Sequence, residues 1–504
     1  MTKDMEMHDY DMKTSAGEHV DIDKEVMGIM GEEHVEVDPE TSRKLFWMLN
    51  RRILPLMLGV YFCQSLDKSA VGFASIMGII KDAHLVGNQY NWLGTILYLG
   101  TVAGEVPVNY LIQKLPIAKL VAVNIFLWGA VTACTAAIND FAGLAATRFL
   151  LGLFEACIFP SFLTLTSMWY TRQEQLLILS FWGCMPGVQI MVGGLLAYGV
   201  EHYTHGVMKS WQLLFMVLGI ATVALAILIG LLLPDSPTKA KCYSDDVKKL
   251  LVARVRANQT GVQPNKAIKW YQVREAIRDP LIWCCFGMQT ITCMFVGGLA
   301  FFSNLIVASF GYNYLQTQLL NLAQGAIVVL ILIGSFYAAK RTGQTLYTLM
   351  AIGWIPIVGM VLVMKITPNQ SNKVGLLIAY YMTLFTWPCG EMVNSIISRN
   401  IAGSSKRTAC LIINFIAWSG GNAAAPQFYK RSEAPRYTKA FIVNLCLFSF
   451  YYVLLFVTRF ILARRNRIKR QNAVYDENGK EVISQENAFA DLTDFENPDF
   501  RYCM

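Results

Sequence analysis

Six ionisable residues stand inside otherwise apolar stretches of this chain: Asp67 and Lys68, Glu105, Arg148 and Glu155, and Glu391. A charge at bilayer depth is costly, so such a residue faces a partner or a water-filled path. Lys68 and Arg148 are the types that hold a carboxylate, arginine through its planar fork and lysine as a point charge. Glu155, desolvated among apolar residues, is suited to taking up and releasing a proton. Asp67 is either a private partner for Lys68 or a second proton site. The plainer reading is that these charges pair with one another and tie helices together; it weighs most for Glu105, in Gly104-Glu105-Val106-Pro107, and for Glu391. All 6 histidines fall in tails or loops, which leaves proton work to carboxylates.

Spacing sharpens the picture. Arg148 and Glu155 are seven residues apart, which places them on one helix face about two turns from each other. At about 1.5 Å per residue, Lys68 and Glu155 sit near mid-membrane, with Arg148 about 10 Å further toward the outer end. Asn394 and Asn414 are further candidates for substrate contact, followed by Gln189 and Gln289. Trp182, Asn304, Gln324 and Trp387 could also line a path. Gly183, Gly187, Gly193 and Gly194 suit close helix packing, and Pro160, Pro186, Pro356 and Pro388 are expected to kink their helices.

The elements that position these residues follow from composition. Of 504 residues, 54% are hydrophobic and only 15% charged, where a soluble protein carries roughly a quarter charged residues. Charge gathers in the two tails and one central stretch. The chain reads as an all-α integral membrane protein with about twelve transmembrane helices. The expected parts are a cytoplasmic N-terminal tail (1–50), a six-helix half (51–233), a cytoplasmic central loop (234–280), a second six-helix half (281–463) and a cytoplasmic C-terminal tail (464–504). Two repeated halves are a carrier's plan. Ser244-Asp245-Asp246 opens a capped amphipathic helix in the central loop.

Charge bias orients the chain. With both termini cytoplasmic, roughly two dozen basic residues lie inside against about eight outside, as the positive-inside rule requires. The net charge of +8 therefore reflects membrane topology rather than nucleic-acid binding. No signal peptide opens the sequence, so the first span acts as its own insertion signal. The 12 cysteines sit mostly singly in apolar runs and form neither a disulfide framework nor a metal site. No phosphate-binding glycine loop and no catalytic constellation are present, which excludes an ATP-driven pump and argues against an enzyme.

At these residues the chain resembles the major facilitator superfamily, in its anion:cation symporter branch. The acid–base pair Asp67-Lys68 and the run from Arg148 to Glu155 match that branch's first and fourth spans. More narrowly, it is similar to the fungal allantoate permease group in Leu66-Asp67-Lys68-Ser69-Ala70, in Ala402-Gly403-Ser404-Ser405-Lys406-Arg407, and in Gly421-Asn422 before Pro426-Gln427-Phe428. The resemblance implies the major facilitator fold and proton-driven symport of a small organic anion: allantoate or ureidosuccinate, a small peptide, or a carboxylated vitamin. It implies no cofactor beyond the proton gradient, with the bilayer, the anion and the proton as partners. It also implies a monomer in the plasma membrane, an internal membrane such as the endoplasmic reticulum being the alternative. Two departures stand out: lysine at 68 where many members of the branch carry arginine, and a degenerate loop, Gln113-Lys114-Leu115-Pro116-Ile117-Ala118-Lys119, between spans two and three. The rival functions are uniport or carriage of a neutral or cationic vitamin such as thiamine, and a non-transporting nutrient receptor.

Overall fold

The computed structural model describes residues 38–203, 208–237, 240, 242–256, 269–369, 371–430, 433, 437–471, 492–498 and 500–503. Most of the N-terminal tail thus lies outside the described residues. Helix starts follow local chemistry. Asp38 caps α1 (Pro39–Arg52) by accepting from the Glu40 amide at 3.1 Å, with Pro39 at the first helical position, where its missing N–H costs nothing. After α1 come α2 (Leu54–Ile76), the single turn α3 (Ile79–Asp82), α4 (Gln89–Lys114) and α5 (Ile117–Thr135).

The next stretch is interrupted. Asp140 caps α6 (Phe141–Glu155) through the Gly143 amide at 3.0 Å, and the helix stops at Glu155 before α7 (Ile158–Trp169) resumes. Pro160 explains the break, because it offers no N–H to the carbonyl of Ala156. Then follow α8 (Arg172–Glu201), α9 (Ser210–Leu232), α10 (Asp245–Arg256) and α11 (Trp270–Arg278). The amphipathic helix expected in the central loop is α10. It ties α1 to α8, since Arg254 pairs with Glu174 at the head of α8 and donates to Ser42 of α1 at 2.9 Å.

Asp279 caps α12 (Pro280–Ser309) through the Leu281 amide at 2.9 Å. The remaining helices are α13 (Tyr314–Thr342), α14 (Thr345–Lys365), α15 (Lys373–Thr383), α16 (Trp387–Asn400), α17 (Ser404–Ala424) and α18 (Thr438–Gln471). A 3-10 turn, Leu384–Thr386, separates α15 from α16 just before Pro388, so this proline also marks a break. By contrast α8 and α14 run on through Pro186 and Pro356.

Among the described residues, eight segments are long and apolar enough to cross a membrane: α5, α6 with α7, the later part of α8, α9, α12, α13, α14 and α18. Segments α2, α4 and α17 have comparable length but carry more polar residues. Of these, α4 and α17 pack on each other, and α2 points Lys68 at the Trp418 ring of α17. Gly100 and Gly152 let α4 and α6 touch: a Cβ on Gly152 would fall 1.9 Å from the Leu97 carbonyl oxygen, and one on Gly100 2.2 Å from that of Phe149. Between α8 and α13, Cβ atoms at Gly187 and Gly194 would meet backbone oxygens of Gly325 and Gln318 at 3.0 and 2.6 Å. Gly183, expected to share this packing, has open space where its Cβ would be, so no close approach there requires glycine.

The helices up to α9 and those from α12 onward are joined at the end of the molecule opposite α1 and residues 500–503. There Asn91 of α4 donates to the carbonyls of Pro426 and Tyr429, both at 2.8 Å, and Thr95 donates to that of Ala423 at 2.7 Å. Gln427 donates back to the Thr95 hydroxyl at 2.8 Å, and Tyr90 stacks at a tilt on Phe301 with ring centroids 4.7 Å apart.

Candidate functional site

The site is built on the middle of α2. Asp67 and Lys68 are successive residues, so about 100° of helix rotation separates their side chains. The aspartate turns into the packing against α5 and α9. It is 1% exposed, and its Oδ2 accepts from Trp128 Nε1 at 2.7 Å and from the Thr222 hydroxyl at 3.4 Å. Asp67 is therefore engaged by neutral donors, and its other oxygen, Oδ1, is buried without a hydrogen-bond partner.

Lys68 turns toward the broken end of α6. Its ammonium lies 3.3 Å from Glu155 Oε2, with the lysine side chain 22% exposed and the glutamate side chain 0%. Charge-assisted N–H···O bonds usually span about 2.7–2.9 Å, so this pair is stretched, and neither Glu155 oxygen has a fully formed hydrogen bond. Gln64, one turn before Lys68, donates to the Glu155 backbone carbonyl at 3.3 Å. On its other side the ammonium faces the ring of Trp418 in α17, 5.6 Å from the centroid. Trp418 is braced by Phe415, stacked at 5.9 Å, and by the edge of Tyr98 of α4 at 5.6 Å.

Arg148 shares the α2-facing side of α6 with Glu155, as their spacing requires. Its guanidinium donates to the Asp67 backbone carbonyl at 3.2 Å and lies 5.5 Å from the Phe215 ring. At 4% exposure it sits behind α2, while Lys68 lies in front. The two cations do not converge on one point in this conformation.

The other sequence candidates fall into three groups. Asn414 donates to Asn394 Oδ1 at 2.8 Å, so these two meet, and Asn414 Oδ1 is left buried and unpartnered. Asn414 is one turn from Trp418 and shares its face of α17. Glu391 is exposed and lies beside Asn394, with Tyr61 and Cys293 within electrostatic reach. Gln189 accepts from Ser69, the neighbour of Lys68, at 3.3 Å. Gln289 donates to Cys293 Sγ at 3.4 Å, with its Oε1 buried and unpartnered. Glu105 stays apart: its carboxylate accepts from Asn109, one turn along the same helix. Asn304 and Gln324 are taken up by α12–α13 packing, through bonds from Asn321 and Ser303 at 2.9 Å each.

Sequence reasoning missed Gln64, Trp128, Thr222 and Trp418. Gln64 carried a signal, being a polar residue one turn from Lys68 in an apolar stretch. The other three are ordinary membrane-helix residues, and only the packing of α5, α9 and α17 gives them their roles.

The model of the Major Facilitator Superfamily matches residues 57–426, which takes in α2, α6 and α17. The chain belongs to the Major Facilitator Superfamily. It is thus a multi-pass membrane protein and a secondary transporter, not an enzyme. It is 35% identical over 468 residues to the thiamine pathway transporter of Saccharomyces cerevisiae, covering 92% of this chain and 87% of that one. It is 32% identical over 480 residues to the allantoate permease of the same yeast, covering 93% and 88%. Among solved structures it is similar to a bacterial homolog of the human lysosomal transporter Spinster, in an inward-facing and unoccupied conformation. That likeness has TM-score 0.63 at 12% identity, over 80% of this chain and 96% of that one, and it speaks to fold alone. Among the described residues, no group of three or more His, Cys, Asp or Glu is placed to hold a metal ion.

Proposed function

We propose that this facilitator carries a small organic anion together with a proton. One observation carries the reading: the Lys68–Glu155 pair, a partly exposed ammonium stretched to 3.3 Å from a fully enclosed carboxylate. An incoming carboxylate competes with Glu155 for the same ammonium. Protonating Glu155 removes the competitor, so anion and proton arrive together and leave together. Lys68 is the primary anion ligand, Glu155 the coupling group, and Asp67 a second titratable group behind it. Arg148 adds positive field and holds α2 in place. Asn394, Asn414, Gln189 and Gln289 supply the polar contacts that sort one cargo from another.

The wider architecture in this proposal is two six-helix halves, 51–233 and 281–463, linked by the central segment, with both termini in the cytoplasm of a plasma-membrane protein. The bonds between Asn91, Thr95 and the end of α17 then close the outer side, which makes the conformation inward-facing. Similarity to the allantoate permease supports a carboxylate cargo. Similarity to the thiamine pathway transporter supports the rival, a neutral or cationic vitamin.

Uptake of radiolabelled carboxylates and matched neutral analogues, by cells expressing the chain at acid and neutral pH, separates the two. Faster carboxylate uptake at acid pH, abolished by a protonophore, is the expected result. Uptake of only neutral or cationic compounds, indifferent to pH, would overturn the anion reading.

A further inference from the structure

A second buried charge cluster lies where the start of α17 meets residues 492–498. Lys406, at the start of α17, has a side chain 0% exposed, and its ammonium reaches three carboxylates: Asp494 at 2.6 Å, Glu275 at 2.8 Å and Asp279 at 3.3 Å. Arg465 of α18 closes the group with two bonds to Asp279, at 2.5 and 3.2 Å. The partners come from three segments: α11, the cap of α12, and the far C-terminal stretch, residues 492–498 and 500–503.

That stretch runs without helix across the ends of five helices and is gripped in two ways. Its backbone is read by asparagines. Asn466 of α18 accepts from the Tyr502 amide and donates to its carbonyl, both at 2.9 Å. Asn400 of α16 does the same for Cys503, at 2.7 and 3.1 Å. Lys469 adds bonds to the carbonyls of Asp494 and Asn497. Its side chains are read by charge and ring. The Tyr502 hydroxyl donates to Asp494 Oδ2 at 2.8 Å, Phe495 lies 3.9 Å from the Lys406 ammonium and 4.6 Å from the Arg465 guanidinium, and Thr493 donates to Glu275 at 3.2 Å. Gly403 has φ +89°, and a side chain there would press on Thr493 and Gln272. The surface thus has the features of a peptide site: backbone readers, a buried cation for one acid, and an aromatic slot.

We propose that the ends of α11, α12, α16, α17 and α18 form a recognition site for an acidic, aromatic peptide, and that residues 492–503 of this chain are its releasable occupant. The occupant belongs to the same chain, so its effective concentration at the site exceeds that of a free peptide, which competes poorly. Once the tether's own segment is repelled, the site stands open to the same sequence supplied from outside. Docked, the strap fixes α11, the last element before the second set of spans, against α17 and α18. Released, it frees the very helix ends that converge at this face.

The test uses the full-length protein in detergent and a fluorescein-labelled peptide of residues 492–503. Asp494→Lys sets a cation against Lys406, and Thr493→Glu sets a carboxylate against Glu275; each displaces the tethered strap by a different repulsion, so one variant stands in if the other misfolds. Anisotropy is expected to show saturable binding to the variants at least tenfold tighter than to the unsubstituted chain. The same peptide with Asp494→Asn is expected to bind at least tenfold more weakly to either variant. Equal binding to all three chains, binding to none, or indifference to the peptide's aspartate would overturn the proposal. The readout does not involve transport, so it stands apart from the anion–proton reading.

Discussion

Lys68 and Glu155 face each other across 3.3 Å with unequal access to water, the ammonium partly open and the carboxylate sealed. A closed structural ion pair would bury both ends and shorten the contact. Here the inner partner is held at the frayed end of α6, with Gln64 on its backbone carbonyl, so the carboxylate is fixed while the lysine is free to change partners.

Glu155→Gln keeps shape and removes the titrating group. Concentrative uptake is expected to vanish, while exchange of labelled for unlabelled substrate across the membrane continues near its normal rate. Proteoliposomes with and without an imposed pH gradient report both quantities. Accumulation that survives in this variant would take Glu155 out of the coupling role.

Arg148→Ala tests the cation behind α2. It removes the donor to the Asp67 carbonyl and leaves a cavity beside Phe215, so a loss of stability of about 1–3 kcal/mol is expected from leaving a buried acceptor unpaired. Substrate affinity is expected to fall with it, since Lys68 rides on the same turn. Thermal unfolding in detergent and substrate binding on one preparation settle the matter. A tenfold loss of affinity at unchanged stability would instead make Arg148 a direct ligand.

Much of this site was legible because membrane helices make charge conspicuous. Asp67, Lys68, Arg148 and Glu155 stood out against apolar neighbours, and seven-residue spacing correctly put Arg148 and Glu155 on one face, the face toward α2. The breaks at Pro160 and Pro388 followed from missing N–H groups. What stayed hidden depends on which helix lies beside which. Nothing in its neighbourhood marks Trp128 as the donor to Asp67, and Trp418 meets Lys68 only because α17 packs against α4. Nor did the sequence of the tail show that Asp494 seeks out Lys406, nearly ninety positions away.

Trp128→Phe retains the ring and deletes the N–H that satisfies Asp67. Leaving a buried acceptor unpaired costs about 1–3 kcal/mol, so a lower apparent melting temperature is expected, with Thr222→Val milder because its bond is long, at 3.4 Å. An unchanged melting temperature in Trp128→Phe would show that the indole contributes nothing net to holding α2 against α5.

At the end of the molecule opposite α1, Asp82 accepts from Lys209 at 2.7 Å and from Trp211 Nε1 at 2.8 Å. Partial burial pushes its carboxyl up, but the bonds from Lys209 and Trp211 outweigh that and hold its pKa below the ordinary value. A depressed folded-state pKa means the stabilisation is fully present above the unfolded value, about 3.9, and is lost as pH falls through the folded one. Melting curves at pH 7 and 5 are expected to agree in this contribution, with its loss confined to pH below about 4 and, for a pair this exposed, amounting to at most about 1 kcal/mol. Asp82→Asn is expected to flatten that acid limb; an identical limb in the variant would assign it to other carboxylates.

The sharpest link between packing and transport is at Gly152. Its Cβ would fall 1.9 Å from the Leu97 carbonyl oxygen, a backbone atom that cannot rotate away, and Glu155 lies less than one turn further along the same helix. Gly152→Ala must therefore push α6 off α4 and carry Glu155 away from Lys68. A stability loss of about 1–3 kcal/mol from overpacking is expected, together with loss of uptake larger than the fall in folded protein explains. Gly334→Ala in α13, where a Cβ meets nothing within 4 Å, is the matched control and is expected to transport normally. Normal uptake by Gly152→Ala would show that the distance between Lys68 and Glu155 is not what the helix crossing protects.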